Sequence, residues 1–302
     1  MLPLFGVNIN PDSRYVEDCF SIAKLADSYE LDIIGVQDHP YNPLFLDTWT
    51  LLTALGMSTK NVHLLINVAD MPLRYPPMLA KAAASLDLLT KGRVELGLGA
   101  GAFWEGIESF GVSRKKPSEA FRAFEEGMRI IRLLLNNKSG EPVTFEGKYY
   151  RLKNAQFGPH PYHHVNLWVG GYGPKMLELT GRLGDGWTIS LPYLPPQDIR
   201  AKKQLIEDAA KDAGRNPASI IVNYNFGGII LEDESQVKPS RPNVLYATIE
   251  GWVEILLNFH KLGVTSFNFW PAGEDKVEQV RLFAREVVPR SRRALSSAQR
   301  TI

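Results

Sequence analysis

Lys91 to Trp104 reads KGRVELGLGAGAFW, and Trp168 to Trp187 reads WVGGYGPKMLELTGRLGDGW. Each opens on a short apolar run and breaks into glycines, and the second then enters an amphipathic helix. A buried strand that ends in a flexible turn before a helix is the repeating unit of a barrel of alternating strands and helices. The same unit recurs on either side. The pattern predicts strands at Leu4–Asn8, Ile33–Val36, His63–Val68, Val94–Leu98, Leu167–Val169, Trp187–Ile189, Ile220–Phe226 and Ser266–Phe269. Helices are expected between them. The first sets Val16, Cys19, Phe20, Ala23 and Ala26 on one face; the others are expected at Thr48–Ser58, Pro76–Leu89, Ser118–Leu135, Pro174–Leu183, Pro196–Ala213, Ile249–Leu262 and Lys276–Val287. Strict alternation predicts one (β/α)8 barrel, an α/β TIM barrel taking in residues 1–302 as a single domain. Two insertions are expected. A hairpin within 138–166, turning at Glu146-Gly147, follows the fourth helix, and a polar, proline-containing loop over 230–247 follows the seventh strand.

Composition narrows the function. Apolar residues make up 44% and charged residues 22% of the 302, enough for a full core. A net charge of +1, from 34 basic and 33 acidic residues, offers no polyanion-binding surface, so neither nucleic acid nor a membrane surface is expected as a partner. No run approaches the roughly 20 apolar residues of a membrane span. The opening MLPLFGVNIN lacks a basic region and is too polar for a signal peptide, and the lone Cys19 excludes an internal disulfide. These features predict a cytoplasmic protein.

The chemistry should sit at the carboxyl-terminal ends of the strands. Gly97-Leu98-Gly99-Ala100-Gly101-Ala102 imitates a dinucleotide fingerprint, but it follows the fourth strand and runs into Phe103-Trp104-Glu105-Gly106, a weak helix start. These glycines read better as a loop passing close under a flat ring. Gly170-Gly171-Tyr172-Gly173-Pro174 is the stronger anion site, because the start of the following helix presents unpaired N–H groups. Asp185 reads as a turn residue. His39, beside Asp38 just after the second strand, is placed to exchange a proton near neutral pH. Glu105 and Glu108 are further acids, equally readable as solvated helix-start residues. His160, His163 and His164 cluster in HPYHH without a carboxylate or cysteine at metal spacing, so no metal is expected. Trp104, Trp168 and Trp187 flank the glycines and serve either as cofactor walls or as core; Tyr41, Phe103, Tyr193 and Trp270 suggest an apolar pocket.

Asp38-His39, the block NVADMPLRYPPMLAKAAASLDLLTKGRVELGLGAG from Asn67 to Gly101, the stretch from Trp168 to Trp187, and the late GVTSFNFWP and VRLFAREVVP together resemble the bacterial-luciferase-like superfamily. Within it, the chain is most similar to the branch that uses the deazaflavin coenzyme F420, which includes methylenetetrahydromethanopterin reductase. The resemblance implies hydride transfer between F420 and a small organic substrate. It places Asp38 and His39 at the reactive edge of the cofactor, with His39 in acid–base work. It implies a bulge at Asn67-Val68 behind the ring, often with a cis peptide, and Gly170, Gly171, Tyr172 and Gly173 around the cofactor phosphate. Gly99, Ala100 and Gly101 complete the cofactor loop. Ala102 stands where sugar-phosphate enzymes of this group carry a glutamate, which leaves Glu105 as the substitute acid and argues against a sugar phosphate. The competing readings are an FMN-dependent monooxygenase and a flavin-binding protein without turnover. Homodimers are the expected assembly.

Overall fold

The computed structural model describes residues 2–137, 139–233, 235 and 243–299. Among the described residues eleven strands are present: β1 (Leu4–Ile9), β2 (Ile33–Val36), β3 (His63–Asp70), β4 (Val94–Gly99), β5 (Val143–Glu146), β6 (Arg151–Ala155), β7 (Leu167–Gly170), β8 (Gly186–Ser190), β9 (Ile221–Leu231), β10 (Val244–Thr248) and β11 (Ser266–Pro271). Parallel pairing runs β11-β1-β2-β3-β4-β7-β8, and β9 bonds to both β8 and β11, so these eight strands close a barrel. Around it lie α1 (Val16–Ser28), α2 (Thr48–Ser58), α3 (Pro76–Thr90), α4 (Trp104–Ser109), α5 (Pro117–Leu135), α6 (Pro174–Leu183), α7 (Ile199–Asp212), α8 (Ile249–Lys261), α9 (Lys276–Leu282) and α10 (Val288–Gln299). Strands walled by helices on one side and by each other on the other bury completely, and every residue of β2 and β4 is buried. Among the described residues no helix is long and apolar enough to cross a membrane.

The barrel interior is not filled by apolar side chains alone. Asn67 donates to Asn8 Oδ1 (3.1 Å) and to Asn225 Oδ1 (2.7 Å), and Thr188 donates to Asn67 Oδ1 (2.9 Å). Asn223 donates to Thr188 Oγ1 (2.9 Å) and Asn225 to the Ile189 carbonyl (2.9 Å). Each amide bonds a neighbour on another strand, so burial leaves these donors satisfied.

The expected hairpin after α5 is β5–β6, antiparallel, with the Glu126 carboxylate accepting the N–H groups of Lys148, Tyr149 and Tyr150 (2.9, 2.8 and 3.1 Å). Three expectations need correction. The seventh barrel strand runs on to Leu231, and its far half pairs in parallel with β10, inside the span expected to be loop. The apolar GGIIL and the β-rich VLYAT carry the ladder past the barrel rim; residues 234 and 236–242 of that span lie outside the described residues. The weak helix start after Gly101 does form a helix, the six-residue α4. The last helix continues past Val287 through a π turn at Phe283–Val287 into α10, with Pro289 directly after the wider turn.

Candidate active site

β3 and β4 shift register between Ile66 and Ala69, and the Asn67–Val68 peptide in that bulge is cis. The Val68 side chain is seated against glycines. A Cβ at Gly99 would stand 2.7 Å from Val68 Cγ2, one at Gly97 would stand 3.0 Å from Val68 Cγ1, and one at Gly170 3.1 Å from Val68 Cγ2. Much of the glycine richness of β4 and β7 therefore accommodates the bulge. Gly101 serves the chain reversal ahead of α4, with φ +85° and Pro72 and Ile107 pressing on it. Ala100 is half-buried beside it.

Gly171 has φ +136°, and its carbonyl accepts the Trp187 indole N–H at 2.7 Å. Gly173, by contrast, has an extended backbone at the N-cap of α6, and a Cβ there would meet nothing within 4 Å. The open space beside it faces the positive end of a ten-residue helix, a cradle suited to an anionic group. Tyr172 stacks on Tyr193 (centroids 6.5 Å apart, planes at 12°) and its carbonyl accepts from Lys202 Nζ at 3.2 Å.

On the other side of the mouth, Asp38 is buried and accepts a two-pronged contact from Arg74, Nε at 3.0 Å and the terminal nitrogen at 2.7 Å, together with the Asp70 N–H at 3.0 Å. Arg74 also reaches Asp47 at 2.6 Å. Its burial opposes ionisation, but the hydrogen bonds to Asp38 and Asp47 hold the guanidinium protonated. His39 is exposed at the rim, its Nδ1 2.7 Å from the Tyr41 hydroxyl. Surrounding protein lowers its pKa against the opposing pull of Asp38, so its neutral form dominates at pH 7. Tyr41 in turn packs on Phe103 (5.3 Å).

The residue that sequence reasoning missed is Asp70, at the end of β3. It is 6% exposed, and its Oδ1 has no hydrogen-bond partner among the described residues. Burial, and then the negative Asp38 nearby, push its pKa up to about 7. The signal available in sequence was a charged residue in an otherwise apolar strand end, followed four residues later by Arg74.

Other expected residues lie elsewhere. Glu105 and Glu108 both pair with Arg114 (2.8 and 3.0 Å) on the exposed face of α4, and the Arg114 hydrogen bond lowers the Glu105 pKa. A solvated, paired carboxylate held ionised is a poor proton donor. Trp168 and Trp187 are fully buried core residues and wall no cleft. Asp185 has the structural part expected of it, accepting the Leu167 N–H at 2.9 Å and pairing with Arg132 and Arg215. The HPYHH histidines lack a carboxylate only locally, for His163 Nδ1 lies 2.7 Å from Asp87. A surface depression of about 840 Å³ is lined by Arg132, His164, Arg182 and Arg215 between α5, the hairpin and α6. Its arginines pair with Asp185 and Glu125, and it lies away from the strand mouths.

The chain is 38% identical over 202 residues to a phthiodiolone/phenolphthiodiolone dimycocerosates ketoreductase of Mycobacterium kansasii, a match covering 66% of this chain and 53% of that protein. The chain thus spans about half the length of the mycobacterial relatives it matches. It is 26% identical to the 5,10-methylenetetrahydromethanopterin reductase of Archaeoglobus fulgidus over 95% of this chain and 99% of that one. An F420-dependent secondary alcohol dehydrogenase, solved with an F420–acetone adduct, superposes with TM-score 0.85 at 21% identity, covering 96% of this chain and 99% of that one. A monooxygenase from Streptomyces bottropensis superposes with TM-score 0.83 at 20% identity, covering 95% and 99%. At such identities the solved structures share a fold with this chain and do not choose between their chemistries. The family model described as luciferase-like monooxygenase matches residues 6–250, most of the barrel that presents these groups, and the chain belongs to that family.

Proposed function

We propose that the protein is an F420-dependent oxidoreductase that interconverts a secondary alcohol and a ketone on an apolar organic substrate. The observation that carries this reading is the arrangement at one barrel mouth. A bulge seated in glycine notches lies between an open helix N-terminus at Gly173 and two titratable side chains, His39, held by the Tyr41 hydroxyl, and Asp70. The residues present fit an elongated anionic cofactor: the N–H groups around Gly171, Tyr172 and Gly173 would take its phosphate, and Val68 and the Gly99–Gly101 loop would back its ring. When bound, a deazaflavin supplies a ring carbon in place of the flavin N5 and so exchanges hydride rather than activating oxygen.

The chain's own residues would manage the proton. In alcohol oxidation, neutral His39 takes the hydroxyl proton as hydride leaves the same carbon; in ketone reduction, the imidazolium returns it to the carbonyl oxygen. The Tyr41 hydroxyl orients the ring through Nδ1. Asp38 is a positioning residue, since its carboxylate is committed to Arg74 and the Asp70 N–H. Asp70, titrating near neutral, adjusts the charge felt by the Tyr41 hydroxyl. Tyr41, Phe103, Tyr193 and Trp270 supply apolar surface for the rest of the substrate. The names borne by the mycobacterial ketoreductases and by the alcohol dehydrogenase support the carbonyl chemistry. We further place the protein in the cytoplasm as a homodimer.

Separate spectroscopic titrations with F420 and with FMN test the cofactor, followed by stopped-flow reduction of bound F420 by secondary alcohols. Micromolar or tighter F420 binding with hydride exchange is the expected result. Tight FMN binding with no affinity for F420 would replace this reading with the monooxygenase, and cofactor binding without any hydride exchange would make the protein a carrier.

A further inference from the structure

The opposite end of the barrel brings together a second set of reactive side chains. His63 opens β3, Glu95 is the second residue of β4, and His163 precedes β7, so all three lie at the amino-terminal ends of consecutive barrel strands. One ligand-capable atom from each lies within 4.8 Å of the other two. His63 Nδ1 is 3.2 Å from Glu95 Oε1, and the His63 and His163 rings meet edge-on (centroids 6.1 Å apart, planes at 83°). Glu95 is 6% exposed.

A second layer of contacts fixes which atom of each residue is free. The Trp168 indole N–H (3.1 Å) and the Asn166 amide (3.0 Å) both donate to Glu95 Oε2, which leaves Oε1 turned to the imidazoles. His163 sets its Nδ1 against Asp87 Oδ1, and Asp87 is itself fully buried and held by the N–H groups of Val94 (3.2 Å), Tyr162 (2.7 Å) and His163 (3.0 Å). Neither nitrogen of that ring has a well-aligned hydrogen bond among the described residues, and Nε2, unlike Nδ1, has no ion-pair contact either. A plain His63–Glu95 ion pair gives this second imidazole nothing to do. A carboxylate behind one imidazole nitrogen, with the other nitrogen directed to a cation, is how metal-ligating histidines are oriented.

We propose that His63, Glu95 and His163 form a binding site for one divalent first-row transition cation of the zinc type. Two imidazoles and one carboxylate are a ligand set that suits Zn²⁺, with water completing four-coordination. The oxygen Glu95 Oε1 and the nitrogens of His63 and His163 are the ligands, and Asp87, Asn166 and Trp168 are the positioning residues. The cation would tie β3, β4 and the segment leading into β7 at the end of the barrel away from the cofactor mouth. It would stabilise the fold by binding the folded chain and not the unfolded one.

The test uses the full-length, untagged protein, freed of metal with a chelator and titrated with Zn²⁺ alone by calorimetry and thermal denaturation. Binding of one equivalent at micromolar or lower Kd, with a raised Tm, is expected. His63→Gln and His163→Gln should each weaken it at least tenfold, and the double variant should abolish it. Circular dichroism of each variant reports whether the barrel is intact, and both histidines are partly exposed enough to be replaced without emptying the core. No stoichiometric binding to the wild-type chain overturns the proposal. So does unchanged affinity in a folded double variant, which would place the cation on surface groups.

Discussion

The two ends of the barrel use buried charge in opposite ways. At the amino-terminal end, the charges of Arg93 and Asp27 are spent on the backbone. Arg93 donates five hydrogen bonds, to the carbonyls of Gly56, Thr59, Val62 and Thr90 and to the Thr59 hydroxyl. Asp27 accepts the N–H groups of Lys60, Asn61 and Val62. At the carboxyl-terminal end, Asp70 keeps a buried oxygen without a partner, and His39 stands at the rim with its charged form disfavoured. Outside the His63–Glu95–His163 cluster, one end has Arg93 and Asp27 satisfied and holding the chain together. The other is left partly unsatisfied, which is what a group that must gain and lose a proton requires.

Substitutions at the two ends should therefore fail differently. The largest effect is expected from His39→Asn, which keeps a polar side chain but removes titration: turnover should drop by roughly 10²–10⁴ while cofactor affinity stays within a few fold. Because the surrounding protein lowers the His39 pKa, the ionisation in the wild-type rate profile should lie below 6.5. Loss of cofactor with an unaltered saturated rate would make His39 a binding residue. Arg93→Met breaks the comparison from the other side. It strands four carbonyls and should cost on the order of 3–5 kcal/mol in urea unfolding, with ligand affinity of the folded protein unchanged; a loss under 1 kcal/mol would show that the amino-terminal end is not where stability is concentrated.

Smaller changes sharpen the boundary. Gly173→Val adds a side chain where the protein offers no obstacle and the backbone is already extended, so cofactor affinity should fall tenfold or more with little change in Tm. Gly171→Val is a poorer probe, because φ +136° penalises any side chain there whether or not a ligand binds. The effect of Asp70→Asn should appear in the pH dependence of stability. The Asp70 carboxyl ionises near pH 7 in the folded chain against 3.8 ordinarily, so the folded state holds a proton that the unfolded chain has already lost. Stability of the wild type should then fall as pH rises from about 4 to about 7, and the variant should flatten that slope. Parallel slopes in the two proteins would assign the pH dependence to other groups.

The strands and their glycine-marked ends were legible because apolar runs and turn residues are local signals. The polar interior was not. Asn8, Asn223, Asn225 and Asn268 alternate with apolar residues, a period that ordinarily marks a strand with one face in water. In a closed barrel that second face points inward, and only closure reveals it. Asp38 and His39 were legible as reactive residues, but the Arg74 that occupies Asp38 lies 36 positions away. His163 reads as a loop residue until the fold carries Asp87, Glu95 and His63 to it. Glu105 shows the reverse: an acid in the right stretch whose short helix turns it outward to Arg114.

The seating of Val68 bears on how such a chain can change over generations. A methyl group at position 99 collides with Val68 Cγ2 but with no backbone atom closer than 3.6 Å, whereas one at position 97 runs into the Ile66 carbonyl oxygen at 2.2 Å whatever residue 68 is. Position 97 is thus closed to substitution outright, while 68 and 99 form an epistatic pair. Gly99→Ala would be deleterious alone and tolerated after Val68→Ala, so the order in which the two mutations arise decides whether a lineage can cross from one pairing to the other.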